Sequence, residues 1–375
     1  MLGNLTKRRS RRRTSKKNRM SKKMRLFLKT FLITIFSLSV VTVVGAMAFF
    51  RVVSPPDVPT VGPRAMLVEL SSGFEQLEYE NSEQGFEYIW PAPERFTADD
   101  RREMFFTFLI IGLNEGMNAN TVMVASYCYV TREANLISIP RDMPVHPTRN
   151  GRKLSSSYLA GSSRGRGMAG GIAQVQRDVM NVIGFIPDFY ILIDYDAFFS
   201  IIDAIGGIEI YVPIRMRYDD PIDNLRIDIQ PGLQHMNSET ALHFVRFRQS
   251  NPGSRYPSLP DGDFGRIRNQ QEVINAVVSQ LLRPASILRI PEFVNIFNES
   301  VHTDLTVGNM LWFANQLNNV RGTDDLSSYT LPVTGTSGAP MWYELLDASA
   351  AVELVNRTVN PFDRDIELRD LNVIR

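Results

Sequence analysis

From about residue 103 onward, short apolar runs alternate with longer stretches whose apolar positions recur at helical spacing. Residues 106–111, 121–130, 135–139, 189–195 and 208–212 are rich in β-branched and aromatic side chains and are bounded by turn formers, which predicts strands. Several are apolar at successive positions, so both faces of their sheet should be covered. Between them Ile172, Val175, Val179, Val182 and Ile183 recur three and four apart, and Gly184 follows as a stop. Asp196 is placed to cap a helix over 197–205 that Gly206 closes. Val273, Ile274, Val277, Val278, Leu281 and Leu282 form one stripe of a helix over 269–282. Strands alternating with helices predict a layered α/β fold rather than a barrel or a bundle.

The N-terminal part has another pattern. An uncharged run follows Lys29 and continues to Phe50. At ~1.5 Å per residue it spans a ~30 Å hydrocarbon layer and predicts a transmembrane helix over 30–50. Residues 1–29 carry 13 Lys or Arg and no acid, so the positive-inside rule keeps them cytoplasmic and puts 51–375 outside, in a single-pass cell-membrane topology. A cleaved signal peptide is the rival reading, because Ala46-Met47-Ala48 has a processing-site form. The apolar run exceeds the ~7–15 residues of a signal h-region, which favours an anchor. Four prolines and a glycine in 52–64 predict an extended stalk. Residues 65–100, with nine acids and one arginine, read as a solvated spacer or a short helix near 66–77. The expected division is a tail over 1–29, a span over 30–50, a stalk and spacer over 51–100, a folded domain over 101–360 and a C-terminal tail over 361–375.

Composition sharpens this picture. With 375 residues and 44% hydrophobic content the chain is too apolar for wholesale disorder. Its net charge of +1 hides an asymmetry, since past residue 29 there are 28 basic residues against 40 acids. The basic tail reads as an orientation signal that also meets anionic lipid, and nucleic acid is not an expected partner. Beyond Lys29 the only lysine is Lys153, so the remaining fixed cations are arginines, whose planar fork suits phosphate oxygens. The lone cysteine, Cys128, excludes an internal disulfide framework and a cysteine-cluster metal site.

The densest cationic feature is Phe244-Val-Arg-Phe-Arg-Gln249, followed by Asp263-Phe-Gly-Arg-Ile-Arg-Asn-Gln-Gln271. If 244–248 is extended, Arg246 and Arg248 share a face. Asp263, Arg266 and Gln270 are three and four apart and line one helix face if the helix starts early enough. Arginines, a helix start and a glutamine can cradle a diphosphate, while the same spacing also suits ion pairs with Asp261 and Asp263. Ser138-Ile-Pro-Arg-Asp142 ends a predicted strand and enters a loop, where Arg141 can serve a ligand or pair with an acid. Lys153 carries the same two readings.

Taken in order, IIGLNEGMNANTVMV, ISIPRDM, Lys153, DYDAFFSIIDAIGGIEIYVP, IQPGLQHMNSETALHFVRFR and GDFGRIRNQQ resemble the LytR-CpsA-Psr family over about 106–282, with weaker similarity toward Tyr343. The resemblance implies a mixed central β-sheet sandwiched by α-helices, with a hydrophobic tunnel for a polyprenyl chain. It implies a phosphotransferase moving a glycopolymer from a polyprenyl-pyrophosphate carrier to peptidoglycan, with Mg2+ at the diphosphate. Carried over by position, Arg141, Lys153, Arg246, Arg248, Arg266 and Gln270 bind diphosphate and lipid, and Asp263 joins Arg141 as a catalytic candidate, taking the acceptor's proton or orienting an arginine.

One part of the family pattern is broken. Where members carry metal-binding aspartates this chain has Asn114 and Asn120, and Asn118 replaces an arginine. An amide oxygen can coordinate Mg2+ but brings no negative charge, so metal affinity should fall. Glu115 in a shifted register is the alternative acidic ligand. The rival function is a binding or sensing protein for polyprenyl-pyrophosphate-linked glycans that has lost catalysis. Reporter fusions check the predicted topology: alkaline phosphatase at the C-terminus is expected to be active in cells, and activity of a cytoplasm-only reporter there would overturn it.

Overall fold

The computed structural model describes residues 53, 55–57, 96–145, 153–163, 165–283, 286, 289–317, 326–337 and 342–373. Those from 55 on belong to one compact unit, Pro55–Arg375. No helix among the described residues is long and apolar enough to cross a membrane. The predicted span over 30–50 and the helix expected near 66–77 lie outside the described residues.

Along the chain run β1 (Phe105–Leu113), β2 (Ala119–Cys128), β3 (Ala134–Ser138), α1 (Ser157–Ser162), α2 (Gly167–Ile183), β4 (Phe189–Ile193) and α3 (Tyr195–Ala204). Then come β5 (Ile208–Val212), β6 (Met216–Asp220), β7 (Leu225–Ile229), β8 (Gly232–Met236), α4 (Ser238–Arg246) and α5 (Asp263–Leu281). The last group is α6 (Ile290–Ser300), β9 (His302–Thr303), α7 (Val307–Leu317), β10 (Leu326–Thr330), β11 (Val333–Ser337), β12 (Tyr343–Leu346) and α8 (Ala348–Thr358).

Six strands form a mixed sheet in the order β10-β3-β2-β1-β4-β9. β1 pairs antiparallel with β2 and parallel with β4, and β3 pairs parallel with β10. Alternation along β1 explains why both faces are apolar. Leu109, Ile111 and Leu113 join Val175, Val179 and Val182 of α2 and Leu354 and Val355 of α8 in the main core. On the opposite face Phe106 meets the rings of Trp312 and Phe313 from α7. The expected central mixed sheet flanked by helices is therefore present. A second core gathers Ile202 of α3, Ile208 to Met236 of β5–β8, Phe244 of α4 and Val273 of α5. Cys128 is buried and unpaired at the end of β2.

Several expectations are corrected. β2 ends at Cys128, and Tyr129 and Val130 lie in a turn. β4 stops at Ile193 because Asp194, not Asp196, caps α3 by accepting the Ala197 N–H at 2.9 Å. Gly206 adopts the left-handed φ of 79° that closes that helix. Residues 244–248 do not form a strand. Asn237 caps α4 by accepting the Thr240 N–H at 2.9 Å, the helix runs through Arg246, and the backbone becomes extended only at Phe247. α5 begins at Asp263 rather than 269. The alternating pattern of Leu225–Ile229, with Leu225, Ile227 and Ile229 inward, marks a strand that the apolar runs alone did not single out.

The domain also extends past both expected edges. Phe96 stacks on Phe362 with ring centroids 4.3 Å apart, and Ile366 and Leu371 are in the main core. The segment expected as a tail over 361–375 is thus partly structural. Ile366→Ala is expected to cost about 2–5 kcal/mol of unfolding free energy, as for other fully buried aliphatic truncations. Urea denaturation measures it, and a loss below about 0.5 kcal/mol, typical of surface changes, would return this segment to the status of a tail.

Candidate functional site

A cavity of about 600 Å³ lies between the central sheet and the second core. Its apolar wall comes from Ile110 of β1, Met123 of β2, Phe198 of α3, Leu242 of α4, and Val273 and Ile274 of α5. At the polar end it is lined by Arg141, Arg246, Arg248, Arg266 and Gln270, together with Asn114, Asn118 and Asn120, and by the carboxylates of Asp194, Asp220 and Asp223. Residues distant in sequence thus converge on one compartment with an apolar and a cationic end.

The backbone explains this convergence. Arg246 closes the last turn of α4, where a cation is favoured by the helix dipole, and the turn to extended chain at Phe247 brings Arg248 to the same cavity. Phe244 and Phe247 anchor the turn from the buried side. Arg266, Gln270, Val273 and Ile274 follow at i, i+4, i+7 and i+8 along α5, so the helix presents a face that grades from charged to apolar. Two buried amides hold α5 in place. Gln271 Nε2 donates to Ser138 Oγ at 2.9 Å and to the Tyr329 carbonyl at 2.8 Å, and Asn269 donates to the Phe244 carbonyl at 3.0 Å. Gly112 lets β1 approach β2 at the cavity wall, since an added Cβ would lie 2.9 Å from the Thr121 Cβ.

Electrostatically the centre is Asp263. It is 5% exposed and is absent from the cavity lining. One of its oxygens lies 2.7 Å from Arg266 Nη2 and 3.6 Å from Arg141 Nη2. Of the two roles expected for Asp263, orienting arginines is the one this geometry favours. Burial lowers the Arg266 guanidinium to about 10; Asp263 opposes the shift, whereas Arg141 and Arg248 reinforce it. Arg266 therefore stays cationic at neutral pH.

Lys153 is also set back from the cavity lining. Its Nζ is 2.8 Å from Asp142 Oδ1, and it lies over the Tyr343 ring at 5.9 Å. Arg246 stacks over Tyr195 at 5.5 Å and reaches Asp223 only at 3.9 Å. Arg248 is exposed and has no carboxylate partner among the described residues. Arg141 donates to Asn120 Oδ1 at 2.9 Å.

The sequence reading missed Glu344 in β12. It is 4% exposed, its backbone N–H donates to the Asp142 carbonyl at 3.2 Å, and its Oε2 has no hydrogen-bond partner. Arg141 Nε and Arg266 Nε are likewise buried without partners. Each such atom calls for an account, and a bound ligand or ordered water at the site would supply one. Burial, with repulsion from Asp263 and Asp142, raises the Glu344 carboxyl to about 7, against the pull of Arg141 and Lys153. Only the fold brings β12 beside Asp142, so nothing local to Glu344 distinguishes it from a surface acid.

A Mg2+ ion implied by the family resemblance would need oxygen donors that carry charge. Asn114 Oδ1 accepts the Asn118 N–H at 2.8 Å and Asn120 Oδ1 accepts from Arg141. Glu115 is exposed, and Asp142 and Asp263 are each paired with a cation. Among the described residues no three His, Cys, Asp or Glu side chains gather as a metal site. The three carboxylates that line the cavity are also engaged, Asp194 by the Ala197 N–H, Asp220 by Tyr218 and the Ile222 N–H, and Asp223 by Arg246 at 3.9 Å, so the donor set does not fit the ion.

A fold with this sheet, this cavity and these arginines defines a class. The sequence profile of the LytR_cpsA_psr family matches residues 95–359, and the chain belongs to that family. Regulatory protein MsrR of Staphylococcus aureus is 22% identical over 245 residues, 64% of this chain and 68% of that one. The Bacillus subtilis polyisoprenyl-teichoic acid–peptidoglycan teichoic acid transferase TagV is 24% identical over 219 residues, 56% of this chain and 52% of that one. The TagV crystal structure aligns with a TM-score of 0.55 and 21% identity, covering 68% of this chain and 95% of that chain. TagT bound to LI-WTA aligns at 0.50 and 15% identity over 72% and 92% of the two chains. These likenesses establish the fold.

The Glu344 carboxyl gives a pH signature. Its folded value lies above the ordinary glutamate value of 4.5, so its contribution to stability is complete below about 4.5 and is lost as pH rises through about 7. Glu344→Gln, which cannot ionise, is expected to melt higher than wild type at pH 8 and to differ little at pH 5. Thermal unfolding at the two pH values checks this, and parallel shifts at both would refute a buried titrating carboxyl.

Proposed function

We propose that this chain is a membrane-anchored phosphotransferase that moves a glycopolymer from a polyprenyl-pyrophosphate carrier to peptidoglycan. The observation that carries the reading is a cavity whose apolar wall leads into a rim that holds Arg141, Arg246, Arg248 and Arg266. An amphipathic ligand with a long hydrocarbon chain and a compact anionic head matches that gradient. The name of TagV and the ligand of the TagT structure support it. The topology expected from residues 1–50 supports it too, because it places the cavity on the side of the membrane where peptidoglycan is found.

In this mechanism the prenyl chain occupies the apolar wall and the diphosphate meets the arginines. An acceptor sugar hydroxyl attacks the phosphorus that bears the glycan. The new P–O bond forms as the bond to the bridging oxygen breaks, and the electron pair leaves with polyprenyl phosphate. The guanidinium groups neutralise charge on the equatorial and bridging oxygens, which is the main contribution a protein makes to phosphoryl transfer. Asp263 keeps Arg141 and Arg266 aimed at that charge, and the hydroxyl proton passes to solvent or to a basic group of the substrate complex. The second reading, a binding or sensing protein for the same lipid-linked glycan, is favoured by Asn114 and Asn120 where the family carries carboxylates. A transfer assay with lipid-linked glycan and peptidoglycan separates the two, since only the enzyme yields wall-linked polymer.

Both readings require the cationic rim. A charge-assisted hydrogen bond contributes about 1.5–3 kcal/mol, so Arg248→Ala is expected to weaken binding of a short-chain polyprenyl pyrophosphate by roughly 10- to 100-fold. Thermal stability should hardly change, because Arg248 is exposed. Titration checks this, and wild-type affinity in both Arg246→Ala and Arg248→Ala would remove the diphosphate from this site.

A further inference from the structure

The amides at positions 114 and 120 differ from carboxylates in what they do as well as in charge. Asn114 is built into its own loop. Its side-chain oxygen takes the Asn118 N–H at 2.8 Å while its backbone N–H donates to the Asn118 carbonyl at 3.1 Å, closing the turn between β1 and β2. Asn120 projects from β2 to the cavity and spends its oxygen on Arg141 Nη1 at 2.9 Å. Both oxygens are therefore committed to protein donors. A neutral acceptor at 120 fixes the direction of the guanidinium without cancelling its charge. Asp263, at 3.6 Å on the opposite side of Arg141, is already shared with Arg266 at a shorter distance. Arg141 thus faces the cavity with its charge shared between two carboxylates at long range, Asp263 at 3.6 Å and Asp142 at 4.0 Å, and with no close ion pair, beside an Arg248 that has no carboxylate partner among the described residues.

We infer that this chain binds a polyprenyl diphosphate without a divalent cation, with the Arg141 guanidinium, oriented by Asn120, supplying positive charge beside Arg246, Arg248 and Arg266. The inference rests on the diphosphate reading of the cavity proposed above and adds the nature of its counter-charge. It follows from the donor set and from the electrostatics of exchange. An aspartate at 120 would sit within ion-pairing distance of Arg141 and draw that charge away from the ligand, so a site with carboxylates needs a metal to recover it. A site with amides has no such debt.

The test titrates full-length protein in detergent with a short-chain polyprenyl pyrophosphate, in EDTA and in saturating Mg2+. Wild-type affinity is expected to change by less than about twofold between the two conditions. The variant Asn114→Asp/Asn120→Asp, and Asn120→Asp alone in case the loop at 114 does not tolerate the change, is expected to bind at least about tenfold more weakly in EDTA and to recover in Mg2+. Calorimetric titration of Mg2+ alone is expected to give heat of binding with the lipid-loaded variant and none with lipid-loaded wild type. Tightening of wild type by about tenfold or more in Mg2+ would overturn the inference while leaving the diphosphate site in place. Undiminished affinity of Asn120→Asp in EDTA would remove Arg141 from the role assigned to it. Absence of binding by wild type in both conditions would instead overturn the diphosphate reading, and this inference with it.

Discussion

The buried pairing of Asp263 with Arg266 and Arg141 is the constraint on which the site depends. A carboxylate that is 5% exposed and a guanidinium that is 7% exposed would each be costly to leave alone, and together they are tolerable only in good geometry. The pair sits in the first turn of α5, where the helix dipole favours an acid. It reaches across to Arg141 at the end of the central sheet. Removing Asp263 would leave two like charges near each other inside the protein, so the carboxylate is as necessary to the arginines as they are to it.

Around this point α5 acts as the joint between two apolar cores. Its Gln271 is hydrogen-bonded to β3 and the β10 backbone, its Asn269 to α4, and its Val273 belongs to the second core. The cavity is the space the two cores leave between them. That origin accounts for its two-ended character: its walls are the uncovered edges of packed apolar layers, and its rim is where loops and helix ends bring backbone polarity and charge. The same arrangement holds Glu344 close to Asp142 and Asp263, where low exposure and two neighbouring acids keep its proton near neutral pH.

Within a shared family fold, the chemistry of the counter-charge is open to change. A carboxylate pair with a cation and an amide pair beside an arginine can present similar net charge to a diphosphate. They differ in what they demand from the surroundings, since Asn120 asks only for a donor and finds it in Arg141 at 2.9 Å.

Much of this was legible in the linear chain. The periodicity of Ile172 to Ile183 and the stop at Gly184 marked α2, because an amphipathic helix and its left-handed cap are specified by residues within a few positions of each other. The apolar runs of β1 and β2 marked a covered sheet for the same reason. The arginines stood out as a group, and the amides at 114 and 120 stood out as a departure, because identity and spacing are properties of the chain itself. Packing decided the rest. Residues 244–248 read equally well as a strand, and the cap at Asn237 together with burial of Phe244 and Phe247 made them the end of a helix. Lys153 read as either a ligand residue or an ion-pair partner, and packing set it 2.8 Å from Asp142; Asp263 read as a proton acceptor or an orienter of arginines, and packing buried it beside Arg266. Glu344 and the segment from Phe362 to Leu371 carried no local sign of their place, because what fixes them is contact with residues scores of positions away. Charge and periodicity are local quantities and can be read in sequence, whereas burial and pairing depend on which distant surfaces meet.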